Sequence, residues 1–325
     1  IIGTSTHPGR AHLTANDTTV LIPPSVDADP QQALRYVEDK LKTKIDLLYE
    51  SRSADPMLRV SRNRKKLPVF LPPEEAVEIF EDKFKTFSHL EKCGLPVPKT
   101  RILMSEEDVA PSMDQIGGND FWVRAIMGQG GTGSFASNDP EEIVNTINQE
   151  NGWGNFTISE KLPIDKDISW EDRLSDNLHP GEMVTWLAFY EKGRLVAAET
   201  RKRLYFEHQD LTRSGVGYTG AAMSLQRDDV HDLSDKIVRS FGFPPHGALG
   251  ADYVVGYDGE PKLTEVQSCR FYTTTYFFSM MGLNFPRLFV DTYRGNSQFL
   301  DKPINSVPAG MVWIQRFGAD DTCVT

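Results

Sequence analysis

Cysteine is scarce in this 325-residue chain: Cys93, Cys269 and Cys323 are odd in number, far apart and without a CxxC pair. That excludes a disulfide framework and a cysteine-built zinc site, and it fits a reducing cytoplasm. No run approaches the roughly 20 apolar residues that span a bilayer, and Ile1 to Asp17 lacks the charged start and apolar middle of a signal peptide. Positive charge is in deficit, with 35 Lys and Arg against 46 Asp and Glu for a net charge of −11. A general nucleic-acid coat and an anionic-membrane binder are therefore disfavoured, while a local basic pocket is not. The seven histidines show no HExxH or other paired metal spacing.

What is present suits a globular protein with material for two or three compact units. Ile1 to Gly3 and Thr18 to Ile22 read as short strands, Asp29 to Lys42 as a helix through Leu34, Val37 and Leu41, and Ile45 to Tyr49 as a buried strand. This alternation marks an open α/β sheet, and it starts abruptly, as though a first strand and helix of the unit were absent. Pro72 to Cys93 reads as one helix or two adjoining ones ending at Gly94, with Pro96-Val97-Pro98 as a stiff linker. Beyond Thr100 the pattern turns antiparallel, with strands at Phe121 to Ala125, Phe156 to Ser159, Met183 to Tyr190 and Leu195 to Thr200. Helices follow at Asp139 to Asn148, Asp228 to Phe241 and Phe285 to Tyr293, and strands at Gly247 to Val255 and Pro261 to Val266.

Two segments carry chemistry. In Val123 to Ser134, Arg124 leaves a strand just before a glycine-dense turn (Gly128, Gly130, Gly131, Thr132, Gly133). Glycines let backbone amides approach phosphate oxygens, and a guanidinium supplies a planar cationic fork. The turn is neither a Walker P-loop nor a dinucleotide fingerprint, since it lacks Gly-Lys-Ser/Thr and the required glycine spacing before a helix. In Asp252 to Gln267, a tight turn at Tyr257-Asp258-Gly259 would set Asp252 beside Glu265, with Gln267 on the face of Glu265. Oxygen donors of this kind suit Mg²⁺ held jointly by carboxylates and substrate phosphates. Exposed carboxylates on a solvated sheet are the bland alternative.

Taken with their neighbours, these segments resemble the ATP-grasp ligases, most nearly the carbamoyl-phosphate synthetase large subunit, biotin carboxylase and amino-acid ligase branch. The resemblance runs from about Ile45 to Tyr293. Asp82-Lys83 and Gly94-Leu95-Pro96-Val97-Pro98-Lys99-Thr100 look like the family's Asp-Lys helix and its approach to the nucleotide domain. Phe121 to Ser134 looks like the phosphate-grasping strand and loop, Ser159 to Leu162 like the strand that reads adenine, and Gly181-Glu182 like the turn whose Glu holds ribose. Gly215 to Met223, Gly247 to Gln267 and Gly282 to Pro286 complete the family order. The chain departs from the family at Glu265-Val266-Gln267-Ser268-Cys269-Arg270, where Gln replaces the usual Asn and the Arg falls one residue late. Pro163 to Pro180, acidic and carrying Trp170, is longer than the family's link and reads as a solvated insertion.

The resemblance implies an α/β and α+β architecture, an ATP-grasp fold preceded by a partial open α/β domain. Its expected limits are residues 1–97 for the N-terminal unit and linker helix, 98–160 for the nucleotide subdomain and 161–325 for the subdomain with the metal site. It implies an ATP-dependent, ADP-forming carboxylate-amine ligase acting through an acyl-phosphate, with ATP and Mg²⁺ as cofactors and small carboxylates and amines as substrates. Homodimerisation is common among relatives. Lys83, Arg124, Gly130, Gly131, Thr132 and Gly133 would hold the phosphates, Glu160, Lys161 and Leu162 adenine, Glu182 ribose, and Asp252, Glu265 and Gln267 the metal. Arg270 and Arg203 are the candidates for the transferred phosphoryl group, although Arg201-Lys202-Arg203 also reads as a cationic edge that blocks sheet pairing. Bicarbonate or carbamate phosphorylation, and a nucleotide-binding subunit without turnover, are the alternatives.

Overall fold

The computed structural model describes residues 2–5, 18–23, 25, 29–48, 58–60, 62, 70–127, 133–150, 152–163, 168–207, 218–268, 271, 275–296, 300–314 and 322–324. Strands β1 (Ile2–Ser5) and β2 (Thr18–Leu21) pair in parallel, and helix α1 (Pro30–Leu41) packs Val37 against Val20 and Ile22. Asp29 caps α1, accepting from the Gln31 amide at 2.9 Å, with Pro30 at the first helical position where its missing N–H costs nothing. The strand expected at Ile45 to Tyr49 does not form: residues 44–48 have no regular structure, and Tyr49 lies outside the described residues. Leu48 instead packs beside Leu58, Leu71 and Val77, so burial of an apolar run here needed no sheet partner.

Helices α2 (Glu74–Glu81) and α3 (Lys83–Lys92) are separate because Asp82 adopts an extended backbone between them, and its carboxylate caps α3 through the Lys85 amide at 2.9 Å. A four-stranded antiparallel sheet follows in the order β3 (Thr100–Leu103), β6 (Phe156–Glu160), β4 (Phe121–Ala125), β5 (Phe135–Ser137). Its Leu103, Phe121, Val123, Phe135, Phe156 and Ile158 face is covered by α4 (Val109–Ile116) and α5 (Pro140–Gln149). The opposite face carries Thr100, Trp122, Arg124, Thr157 and Ser159, by the strict alternation of a strand. A polar sheet face opposite a closed apolar one is the first indication of where a ligand would lie.

The short helix α6 (Trp170–Arg173) precedes the large sheet, in which β7 (Met183–Glu191), β8 (Arg194–Glu207) and β9 (Tyr218–Leu225) form a meander. Helix α7 (Asp228–Ser240) leads to the hairpin β10 (Gly247–Val255) and β11 (Pro261–Ser268), then α8 (Thr275–Met280), α9 (Phe285–Tyr293), β12 (Val312–Ile314) and β13 (Thr322–Val324). The seven strands run β11-β10-β7-β8-β9-β12-β13. One face presents Val184, Trp186, Ala188, Tyr190, Leu249, Ala251 and Tyr253 to α2, α3 and α7 and forms the largest core. The other is divided: Leu187, Phe189, Ala197 and Ala248 meet α8 and α9 at one end, while Thr185, Arg201, Arg203, Asp252, Glu265 and Gln267 line the other.

Gly247 opens β10 at φ +81°, and a Cβ there would collide with the Phe70 carbonyl oxygen, so only glycine allows this strand to begin so close to the preceding chain. Among the described residues no helix is long and apolar enough to cross a membrane.

Candidate active site

The polar ends of the two sheets meet along β11. Asp252 on β10 pairs with Glu265 on β11, and Gly250 with Gln267, which puts the three expected metal donors on one face. The register slips between Asp252 and Tyr253, leaving Thr264 as the extra residue of a bulge. A bulge frees backbone groups from the ladder and re-aims them. Here the Thr264 carbonyl accepts from Arg124 Nη1 of β4 at 2.9 Å, and Thr264 Oγ1 donates to the Asp252 carbonyl at 3.0 Å.

That bond carries Arg124 across from the four-stranded sheet to the carboxylate side. Its guanidinium stands 4.7 Å from the centre of the Phe87 ring, and its Nε is buried without a hydrogen-bond partner. Burial lowers its pKa to about 10, opposed by the nearby charge of Glu265. Lys83, at the start of α3, reaches the Ile126 carbonyl with Nζ at 3.5 Å; burial lowers its pKa too, again against the pull of Glu265. Two basic side chains from one side and Glu265 from the other thus converge. Burying an arginine with one of its donors unsatisfied is costly unless another group comes to meet that donor.

Asp252, 8% exposed at its side chain, accepts from Thr185 Oγ1 at 2.7 Å and from Arg203 Nη2 at 2.7 Å, and Arg203 Nε donates to Thr185 Oγ1 at 3.1 Å. Among the described residues no three His, Cys, Asp or Glu side chains could hold a metal ion together. Two carboxylates and an amide fit a divalent cation that takes its remaining ligands from phosphates and water, as Mg²⁺ commonly does.

Other expected positions are more dispersed. Glu160 ends β6, accepting from the Lys99 amide at 3.3 Å and pairing with Lys262 at 3.4 Å; Lys161 pairs with Asp120 at 3.2 Å, and Leu162 is half-buried beside them. Glu182, which the resemblance assigns to ribose, is enclosed. It is 1% exposed, with Oε1 3.0 Å from Lys202 Nζ and Oε2 accepting from the His179 amide at 2.8 Å. Gly133 sits at φ +69° after the glycine turn, while Gly130, Gly131, Thr132 and Arg270 lie outside the described residues.

The cationic triplet is not an edge device, because β8 lies between β7 and β9. Arg201 and Arg203 point to the polar face and Lys202 to the apolar one, where it also donates to the carbonyls of Ser175 at 2.9 Å and Asn177 at 3.0 Å. The signal was available in the strand's phase: Ala198, Thr200, Lys202 and Leu204 share one face, so a buried lysine was legible there. Thr185 and the Thr264 bulge had no such signal. A groove of about 520 Å³ between α3 and α7, lined by Cys93, Leu95, Asp232, Asp235, Lys236, Arg239 and Ser240, contains none of these residues.

Glu199, on the same sheet face as Arg201, was not anticipated. It is wholly buried, and its Oε1 accepts from Ser306 N at 2.7 Å, Ser306 Oγ at 2.7 Å and Val307 N at 3.1 Å, while Oε2 has no hydrogen-bond partner. Burial raises its pKa from 4.5 to about 7, with the bonds to Ser306 and Val307 opposing. The folded chain therefore retains a proton that the unfolded chain releases, and this group's contribution falls as pH rises from about 4.5 to about 7, by roughly 3 kcal/mol. The urea midpoint of the wild type is expected to fall between pH 5 and pH 8, and that of Glu199→Gln to change much less. Parallel profiles would assign the dependence to other groups.

Comparison with solved structures identifies the fold. No protein-family model matches the chain, and no curated protein matches it. Biotin carboxylase from Campylobacter jejuni, solved as a β-γ-ATP complex, is similar with a TM-score of 0.70 and 14% identity over 96% of this chain and 68% of that one. The biotin carboxylase domain of 2-oxoglutarate carboxylase from Hydrogenobacter thermophilus, solved with MgADP, ADP and bicarbonate, gives 0.69 and 14% over 96% and 67%. L-amino acid ligase from Bacillus licheniformis gives 0.63 and 14% over 96% and 72%. The chain has the ATP-grasp fold.

Proposed function

We propose that this protein binds Mg·ATP between its four-stranded and seven-stranded sheets and uses it to join a carboxylate to an amine, releasing ADP and phosphate. The observation that carries the proposal is the convergence of Arg124 and Lys83 on Glu265, beside Asp252, with an unsatisfied guanidinium nitrogen in the cluster. The nucleotides in the Campylobacter and Hydrogenobacter structures support the same reading.

In this reading Arg124 and Lys83 bind the phosphates, Glu160 to Leu162 border the adenine, and Asp252, Glu265 and Gln267 hold the metal. When bound, the metal supplies charge neutralisation at the phosphate oxygens. Positioning and charge are most of what phosphoryl transfer requires of a protein, and no side-chain nucleophile is needed. A substrate carboxylate oxygen attacks the γ-phosphorus as ADP leaves. The amine nitrogen then attacks the acyl carbon and loses a proton to solvent, and phosphate departs with the electron pair of the single bond between the acyl carbon and the bridging oxygen. Arg203 and Arg270 are assigned to the transferred group. Glu182, with both oxygens engaged, holds ribose only if Lys202 yields.

The test is calorimetric titration with ATP, with and without Mg²⁺, on the wild type and Glu265→Ala, followed by ADP release in pools of amino acids and other carboxylates. Metal-dependent binding that weakens at least tenfold in the variant is expected, along with ADP release that needs an acceptor. Binding without any acceptor-dependent release would favour a nucleotide-binding subunit over a ligase, and undiminished binding in the variant would remove Glu265 from the metal site.

A further inference from the structure

Resting on the metal assignment just given, the ring formed by Thr185, Arg203 and Asp252 assigns Arg203 a second role. Asp252 Oδ1 receives both the Arg203 guanidinium, at 2.7 Å, and the Thr185 hydroxyl, also at 2.7 Å, while Arg203 Nε holds the same hydroxyl at 3.1 Å. The three groups are interlocked and largely shielded from solvent, with 12% of the Arg203 side chain and 8% of the Asp252 side chain exposed. A full positive charge thus sits on the carboxylate that a metal would use.

A guanidinium and a divalent cation on one buried carboxylate repel strongly, because little water intervenes to screen them. Metal alone would therefore have to break that ion pair without supplying an acceptor in its place. Metal arriving with a polyphosphate brings that acceptor. The backbone is suited to such a transfer: β8 slips in register against β9 immediately after Arg203, and β10 slips against β11 immediately after Asp252. Each partner thus sits at the last regular position before an irregularity, where a small change of strand direction moves the side chain without unzipping the ladder.

We propose that Arg203 is the resident counter-cation of Asp252, exchanged for the divalent metal only when nucleotide phosphates are present to receive the guanidinium. Arg203 thereby makes metal and nucleotide binding interdependent and keeps free divalent ions off the site. Such coupling is reciprocal: nucleotide tightens metal by the factor by which metal tightens nucleotide.

The probe is Mn²⁺, titrated by electron paramagnetic resonance with and without ADP, on the wild type and on Arg203→Gln, Arg203→Met, Arg203→Lys and Asp252→Asn. Without nucleotide, Arg203→Gln and Arg203→Met are expected to bind Mn²⁺ about tenfold or more tightly than the wild type. Arg203→Lys, which retains the charge, is expected to remain weak. The tightening of Mn²⁺ by ADP should shrink in the neutral variants. Equal Mn²⁺ affinity in the wild type and Arg203→Gln would overturn the counter-cation role. If Asp252→Asn leaves Mn²⁺ affinity unchanged in the presence of ADP, the metal assignment itself fails, and the two failures are thus distinct.

Discussion

Lys202→Met is expected to lower unfolding free energy by roughly 3–5 kcal/mol, the range for removing one partner of a buried ion pair. Lys202 is wholly buried, and its Nζ lies 3.0 Å from Glu182, 2.9 Å from the Ser175 carbonyl, 3.0 Å from that of Asn177 and 3.4 Å from that of Asp172. An ammonium has three protons, so these acceptors exhaust it. Methionine would leave a carboxylate that is 1% exposed with only the His179 amide, and would release three carbonyls, one in α6 and two in the segment after it. Urea denaturation measures the loss, and limited proteolysis should show new cleavage between Ile168 and Gly181. The double variant Lys202→Met/Glu182→Leu should recover part of the loss, since no charge is then stranded. A cost under about 1 kcal/mol for the single variant would mean that this pair is not the anchor of the insertion.

The largest functional effect is expected from Arg124→Met, which should weaken Mg·ATP binding by about two orders of magnitude. Charge-assisted hydrogen bonds are worth roughly 1.5–3 kcal/mol each, and the expected loss corresponds to one or two of them. Even with its pKa lowered to about 10, Arg124 is a cation at neutral pH, so the buried site keeps its charge before any ligand arrives. Its Nη1 is already committed to Thr264 at 2.9 Å, which fixes the plane of the fork and presents the remaining donors in one orientation. Arg124→Lys retains the charge but not the fork, and an intermediate loss is expected. Calorimetric titration distinguishes the three proteins; wild-type affinity in Arg124→Met would remove the phosphate contact from this residue.

The elements that sequence described well were those in which one periodicity acted alone. Helix Phe285 to Tyr293 and the hairpin of β10 and β11 appear with the expected limits or nearly so, and the facing of Asp252 and Glu265 followed from the tight turn alone. Ile45 to Tyr49 failed because an apolar run signals burial without saying whether a sheet or neighbouring helices provide it. Helix α4 was missed because Pro111 lies within its short sequence; in the first turn, proline forfeits no helical bond. At the site, residue types were legible and partners were not. Nothing local to Glu182 indicated Lys202, which arrives 20 positions later through strand pairing, and nothing local to Glu199 indicated Ser306. Long-range pairing determines which polar groups are consumed by structure and which remain for a ligand.

Lys262, Leu263 and Thr264 are consecutive, yet each grips a different piece of chain: Lys262 holds Glu160, the Leu263 amide holds the Pro96 carbonyl at 3.0 Å, and the Thr264 carbonyl holds Arg124. β11 is thus a three-point brace, with one tie between backbone groups and two that run through side chains. Since Glu265 is the next residue, a displacement of the four-stranded sheet would reach the carboxylate pair without an intervening linkage, and a change in hydrogen exchange at the Leu263 amide on nucleotide binding would register it.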